Sequence, residues 1–143
     1  MIEIISDAGL DSVDETWARS VVSQTLRAIG RGGAAVNVLF SGDERIRGLN
    51  LKFRGVDAPT DVMAFPSEDE GSFLGDVIIS VQTAKSHADE LGHSLDEELS
   101  VLLVHGILHL LGYTDYDGPS KSDMFRKTDD ILKQLNVSHN QGR

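Results

Sequence analysis

No cysteine occurs anywhere in the chain. That absence excludes disulfides and thiolate metal sites together, so a metal here would have to be held by His, Asp or Glu. Proline is also scarce, at three residues, and no Pro- and Ser-rich tract, repeat or low-complexity stretch marks a linker. The 143 residues therefore read as one domain over 1–143, with a polar tail from about 137, long enough to bury an ordinary core. A bilayer-spanning run is missing too: the densest apolar segment begins with acidic residues and contains two histidines. The N-terminal MIEIISDAGLDS lacks a basic region followed by a long apolar run, so no secretory signal is expected. These absences point to a cytoplasmic protein with no membrane partner.

Positive charge is in short supply. Thirteen Lys and Arg against 23 Asp and Glu leave a net charge of −10, which argues against indiscriminate nucleic-acid binding. The cations are uneven, however. Arg45, Arg47, Lys52 and Arg54 lie between Arg45 and Val56 with no acidic residue among them, a local basic face compatible with a selective RNA contact.

The most informative stretch is SLDEELSVLLVHGILHLLGYTDYD, from Ser94 to Asp117. Ser94 and Glu97 have capping-box spacing. Leu95, Leu99, Leu102, Leu103, Val104, Ile107, Leu108 and Leu111 then put apolar side chains on nearly every face, the pattern of a buried helix. His105 and His109 stand four apart and face the same way from successive turns. Imidazoles are costly to bury without partners, so the pair is read as metal-ligating rather than as two core histidines. Gly112 ends the helix and the chain turns back through Asp115 and Asp117. Two imidazoles and a returning carboxylate can supply three ligands and leave a fourth position open, as in a catalytic zinc site.

HGILHLLGYTD also resembles the signature H-G-x-x-H-L-x-G-Y-D-H of the YbeY family, bacterial metal-dependent endoribonucleases linked to rRNA maturation. His105, Gly106, His109, Leu110, Gly112 and Tyr113 fall in register. Asp115 stands where that family usually has its third His, and Thr114 where it has Asp; Asp117 is the reserve ligand. LNLKFRGVDAPTDVMAFP is similar to a second family block, L-N-x-x-Y-R-x-x-x-x-P-T-D-V-L-S-F-P. There Arg54 aligns with an arginine implicated in activity, and Phe53 replaces the usual Tyr. LGDVIIS resembles L-G-D-I-x-I-S.

Along the rest of the chain, 2–6 reads as a strand. A helix follows over 13–29, with Ser12 and Glu15 as its capping box and Val13, Trp17, Val21, Val22 and Ile29 facing inward. AAVNVLF (34–40) is a strand with Val36, Val38 and Phe40 on one face. Ser41 and Glu44 suggest a capped helix to Phe53. On it Ile46, Leu49 and Phe53 form an apolar face, and Arg47, Asn50 and Arg54 a polar stripe at i, i+3 and i+7. By pattern alone such a stripe is a solvated face; the resemblance makes Arg47, Asn50 and Arg54 RNA-binding candidates. TDVMAF (60–65) and LGDVIIS (74–80) are strands joined as a hairpin through an acidic loop. Asp61 is taken as a turn or backbone-bonding residue, and Asp76 as a polar residue on an open strand face. Ser80 caps a helix over 81–91. His87 and His93 are read as surface histidines, and Pro119 and Ser120 begin a last helix, with His139 beyond it in a frayed tail.

This order of elements is an α/β (α+β) domain of mixed strand pairing. The resemblance adds a mixed four-stranded sheet packed with about five helices around a central buried His-bearing helix. It also implies hydrolysis of phosphodiester bonds in single-stranded RNA, not DNA, during small-subunit rRNA processing and ribosome quality control. The expected metal is one Zn2+ on His105, His109 and Asp115; the harder carboxylate admits Mn2+ or Fe2+. Arg54 is the expected catalytic residue, clamping a phosphate and offsetting charge as the diester is attacked. Expected partners are rRNA and, on the small subunit, ribosomal proteins or assembly factors. Two rivals remain at this point. A zinc peptidase of the H-E-x-x-H type needs Glu after the first His, and this chain has Gly106 there. A non-catalytic ribosome-assembly factor would hold its metal structurally, which requires a fourth protein ligand that the sequence does not offer.

Overall fold

Val36, Val38 and Phe40 are fully buried, as strict alternation in β2 requires, and the sheet grows outward from that strand. The computed structural model describes residues 1–7, 13–69, 71–114 and 118–137. In chain order the elements are β1 (Ile2–Ser6), α1 (Glu15–Ala28), β2 (Ala35–Ser41), α2 (Asp43–Arg54), β3 (Val62–Pro66), β4 (Phe73–Ser80), α3 (Val81–Leu91), α4 (Leu95–Leu110) and α5 (Gly118–Gln134). The strands lie in the order β1-β2-β4-β3. β1, β2 and β4 run parallel, while β3 pairs antiparallel with β4 at the edge, Ala64 opposite Val77. The α/β class, the five helices and the mixed four-stranded sheet are those expected.

Two helix starts differ from expectation. Asp14, not Ser12, caps α1, its carboxylate accepting from the Trp17 amide. Residue 42, a glycine, occupies the N-cap of α2 without a side-chain bond, while the Ser41 hydroxyl donates to Asp7 across the sheet end. Asp43 has a larger role. One of its carboxylate oxygens accepts from the hydroxyls of Ser80 and Thr83, each at 2.5 Å, and its amide donates to Gln82 at 2.7 Å. That single residue ties the start of α2 to the start of α3. The capping box of Ser94 and Glu97 on α4 forms as read.

α4 is the central element. It packs on α1, α3, α5, β3 and β4. One flank, Leu99, Leu102, Leu103 and Ile107, joins the sheet-side core with Val22, Val38 and Phe40. The opposite flank, Val101, Val104 and Leu108, packs on Met124, Ile131 and Leu132 of α5. A helix apolar on two flanks leaves one narrow stripe for polar groups. Glu98, His105 and His109 occupy it, because residues seven and eleven apart return to within about 20° of one another.

Gly106 allows the helix to come this close. A Cβ on Gly106 would stand 2.5 Å and 3.0 Å from the two methyls of Val77 on β4. Gly75 does the same from the sheet: its φ is 137°, and a Cβ there would run into the Phe65 carbonyl and Leu110. Among the described residues, no helix is long and apolar enough to cross a membrane.

Gly106→Ala tests this packing. Ala gains about 1 kcal/mol of helix propensity over Gly, but overpacking a rigid helix–sheet contact costs about 1–3 kcal/mol. The variant should be net destabilised in urea denaturation. In a Val77→Ala background, where the clashing methyls are gone, the same change should become neutral or stabilising. Equal destabilisation in both backgrounds would place the cost elsewhere.

Candidate metal centre and RNA-facing surface

Two members of the polar stripe of α4, Glu98 and His105, border a cavity of about 250 Å³. Its polar wall comprises Asp61, His87, Glu90, Glu98 and His105, closed on the apolar side by Leu91, Val101 and Leu102. His105 and His109 are both half-buried. The His105 ring meets Phe125 of α5 edge-on, centroids 5.9 Å apart, so packing helps fix the imidazole's plane. α4 closes through Gly112 at φ 96°, with the Tyr113 amide returning to the Leu108 carbonyl. Asp115, the expected third ligand, and its reserve Asp117 lie outside the described residues. The donor chemistry fits a borderline divalent ion: two imidazoles on successive turns of a rigid helix.

Sequence reading missed what lies N-terminal of His105. Glu98 is 3% exposed, a carboxylate in the core. His93 is not a surface histidine: its side chain is 6% exposed and its Nε2 lies 2.8 Å from Glu98 Oε1. His87 is also more than a surface residue, its Nδ1 standing 3.5 Å from Asp61 Oδ2 and 3.8 Å from Glu98 Oε2. Asp61 bonds the backbone as expected, its Oδ1 accepting from the Val62 amide at 2.8 Å, yet its other oxygen turns to the histidine. Asp61, His87 and Glu98 thus form a set able to hold a metal ion, their ligand atoms all within 4.8 Å of one another. A sequence signal for Glu98 did exist. It stands seven residues before His105, hence on the same face, but it hides in the acidic run Asp96–Glu97–Glu98 that suits any helix start.

The basic stripe of α2 divides on inspection. Arg45 pairs with Asp7 at 2.9 Å and Arg47 with Asp57 at 2.6 Å. The latter pair is exposed to solvent; its hydrogen bond and charge hold Arg47 more firmly protonated and Asp57 below the usual carboxylate range. Asn50 does not face solvent. At 3% exposure its side-chain amide donates to the Ala58 carbonyl at 2.9 Å, which folds the 55–58 turn back on α2. The Asn50 side chain thus makes a structural bond: residues three apart need not share exposure where a loop covers one of them. Arg54 is exposed and joins none of the ion pairs among the described residues. Beside it Phe53 is 55% exposed, with Lys52 Nζ 5.2 Å from its ring and Phe65 edge-on at 5.1 Å. A larger groove of about 360 Å³ lies on the open sheet face against Phe53 and Phe65. Its walls are mostly apolar, and its one carboxylate, Asp76, already accepts from Asn37 at 3.0 Å. The titratable and metal-ligating side chains gather instead at the smaller cavity.

The family profile described as Endoribonuclease YbeY matches residues 5–136. The chain belongs to the endoribonuclease YbeY family. A family member from Pelotomaculum thermopropionicum is 44% identical over 124 residues, covering 80% of this chain and 82% of its own. Another from Aquifex aeolicus is 43% identical, covering 85% and 81%, and one from Geobacillus kaustophilus is 38% identical, covering 90% and 97%. In architecture the chain is similar to the solution structure of TM1509 from Thermotoga maritima, with a TM-score of 0.62 at 24% identity over 100% of this chain and 99% of that one. Gly106, in place of the peptidase Glu, now has a steric reason, since any side chain there would enter Val77.

Burial pushes the Glu98 carboxyl above its ordinary range, against the opposing pull of His93 and His87. A raised carboxyl binds its proton more readily in the native state than in the unfolded chain. Its contribution to stability is therefore full below the ordinary Glu pKa and is lost as pH rises through the native value. In metal-free protein, the stability of wild type relative to Glu98→Gln should fall as pH is raised from about 4, read from urea midpoints. A difference that does not change with pH would mean that Glu98 is solvated in solution.

Proposed function

We propose that this member of the endoribonuclease YbeY family is a metal-dependent hydrolase of single-stranded RNA that acts in the cytoplasm on small-subunit rRNA during its maturation. The observation that carries the reading is the pairing of His105 and His109 on one polar stripe of an otherwise buried helix, in a chain of this family. In this reading His105, His109 and Asp115 hold the ion. Zn2+ suits two imidazoles and a carboxylate, and Mn2+ or Fe2+ are admissible. When bound, the ion would polarise a phosphoryl oxygen and acidify water at the scissile phosphate. The protein's own groups do the rest. Arg54, exposed and outside the ion pairs, binds the phosphate and offsets the charge that develops on it. Lys52 adds general attraction for the backbone. Phe53 offers an exposed ring on which a base can stack, worth about 1–3 kcal/mol per base and tolerant of sequence. Arg47 reaches RNA by exchanging Asp57 for a phosphate, a small loss for an exposed pair. Single strands suit this surface because their bases are free to stack. Small-subunit proteins or assembly factors would bring the substrate to the cavity.

Arg54→Ala and His109→Ala separate catalysis from binding. Arg54→Ala should lower single-turnover cleavage by about 10²-fold while metal content stays at the wild-type level. His109→Ala should lose the ion held by His105, His109 and Asp115, and cleavage with it. If neither wild type nor any variant cuts RNA although metal and RNA are bound, the protein is an assembly factor with a structural metal.

A further inference from the structure

We propose that Asp61, His87 and Glu98 form a second divalent-cation site, separate from His105 and His109 and suited to a transition ion such as Zn2+ or Mn2+. The donors come from three different elements: the residue preceding β3, the exposed edge of α3, and the stripe of α4. Their spacing is that of a ligand set rather than of a hydrogen-bonded triad. His87 Nδ1 lies 3.5 Å from Asp61 Oδ2 and 3.8 Å from Glu98 Oε2. Both separations are long for hydrogen bonds. Ligands at about 2.0–2.2 Å from a tetrahedral ion stand about 3.4 Å from one another, close to both separations from His87, and all three ligand atoms lie within 4.8 Å of one another.

Each carboxylate is also held from behind, as metal ligands are. Glu98 Oε1 meets His93 at 2.8 Å, and Asp61 Oδ1 accepts from the Val62 amide at 2.8 Å. These bonds leave the other oxygen of each directed to the common point. The histidine pair lies further along α4, although His105 lines the same cavity. Glu98 precedes His105 by about 10 Å along the helix axis, and His93 holds its carboxylate at the N-terminal end of α4. One imidazole with two carboxylates favours a borderline ion over Ca2+ or Mg2+. On the reading of the cavity as an RNA site, the second ion also answers an electrostatic problem. The cavity wall carries Asp61, Glu90 and Glu98 and neither Lys nor Arg, so a phosphate approaching it meets repulsion unless a cation sits there.

The test is Zn2+ and Mn2+ titration calorimetry with elemental analysis on chelator-stripped full-length protein, with circular dichroism to establish folding. Wild type should bind about two ions per chain. His87→Ala, at a partly exposed position, should retain about one, bound at the α4 pair; His109→Ala should retain about one, bound at Asp61, His87 and Glu98; the double variant should bind none. Should His87→Ala lose its fold, Asp61→Asn replaces it, keeping shape while removing charge and weakening the second ion at least about tenfold. If folded His87→Ala, or Asp61→Asn, binds metal with wild-type stoichiometry and affinity, the second site does not exist. One ion lost in His109→Ala but kept in His87→Ala overturns this proposal and leaves the function above intact. One ion lost in His87→Ala but kept in His109→Ala does the reverse, upholding the cluster as a cation site and removing His109 as a ligand.

Discussion

The contact between the backbone of α4 at Gly106 and the methyls of Val77 sets the geometry of everything around it. A helix with a Cβ at that point would have to stand further from the sheet. The flank packing on Val22, Val38 and Phe40 and the flank packing on α5 would then no longer close together. Because both flanks are committed to apolar neighbours, the polar groups of α4 have only one direction left. The cavity is thus a remainder of the packing: it lies where the helix was not needed for the core. This gives rigid support to the histidines without any loop having to hold them.

Burying a carboxylate beside that stripe is the fold's most expensive choice. Glu98 is accommodated because His93 meets one oxygen and His87 approaches the other, against the repulsion of the nearby Asp61. Such networks reward completeness. Removing one member leaves an uncompensated buried charge, which costs more than the intact pair gains over an apolar replacement. The same logic explains why Ser94 and His93 are neighbours: the residue that caps α4 and the residue that neutralises its first buried charge are set by one turn.

Much of this architecture was legible from residues alone. Alternation placed Val36, Val38 and Phe40 correctly, the capping box of Ser94 and Glu97 located α4, and the apolar run identified it as buried. Contacts distant in sequence were not legible. Asn50 looked like part of a basic, solvent-facing stripe until the turn carrying Ala58 folded over it. Arg47 and Arg45 looked unpaired because Asp57 and Asp7 lie outside the segment that frames them. His87 and His93 lacked metal-like spacing to each other, and their partner Glu98 was hidden in an acidic first turn. A one-dimensional pattern reveals which side chains share a face, not which other element that face will meet.

Asp43 has a mechanical consequence. Its carboxylate and amide fasten the first turn of α2 to the first turn of α3, while Arg54 sits at the far end of the same 12-residue helix. That helix is about 18 Å long, so a tilt of about 3° at Asp43 would swing its Arg54 end by about 1 Å. The bonds at Asp43 thus help to set where the far end of α2 stands, together with the buried Ile46 and the Asn50–Ala58 bond further along it.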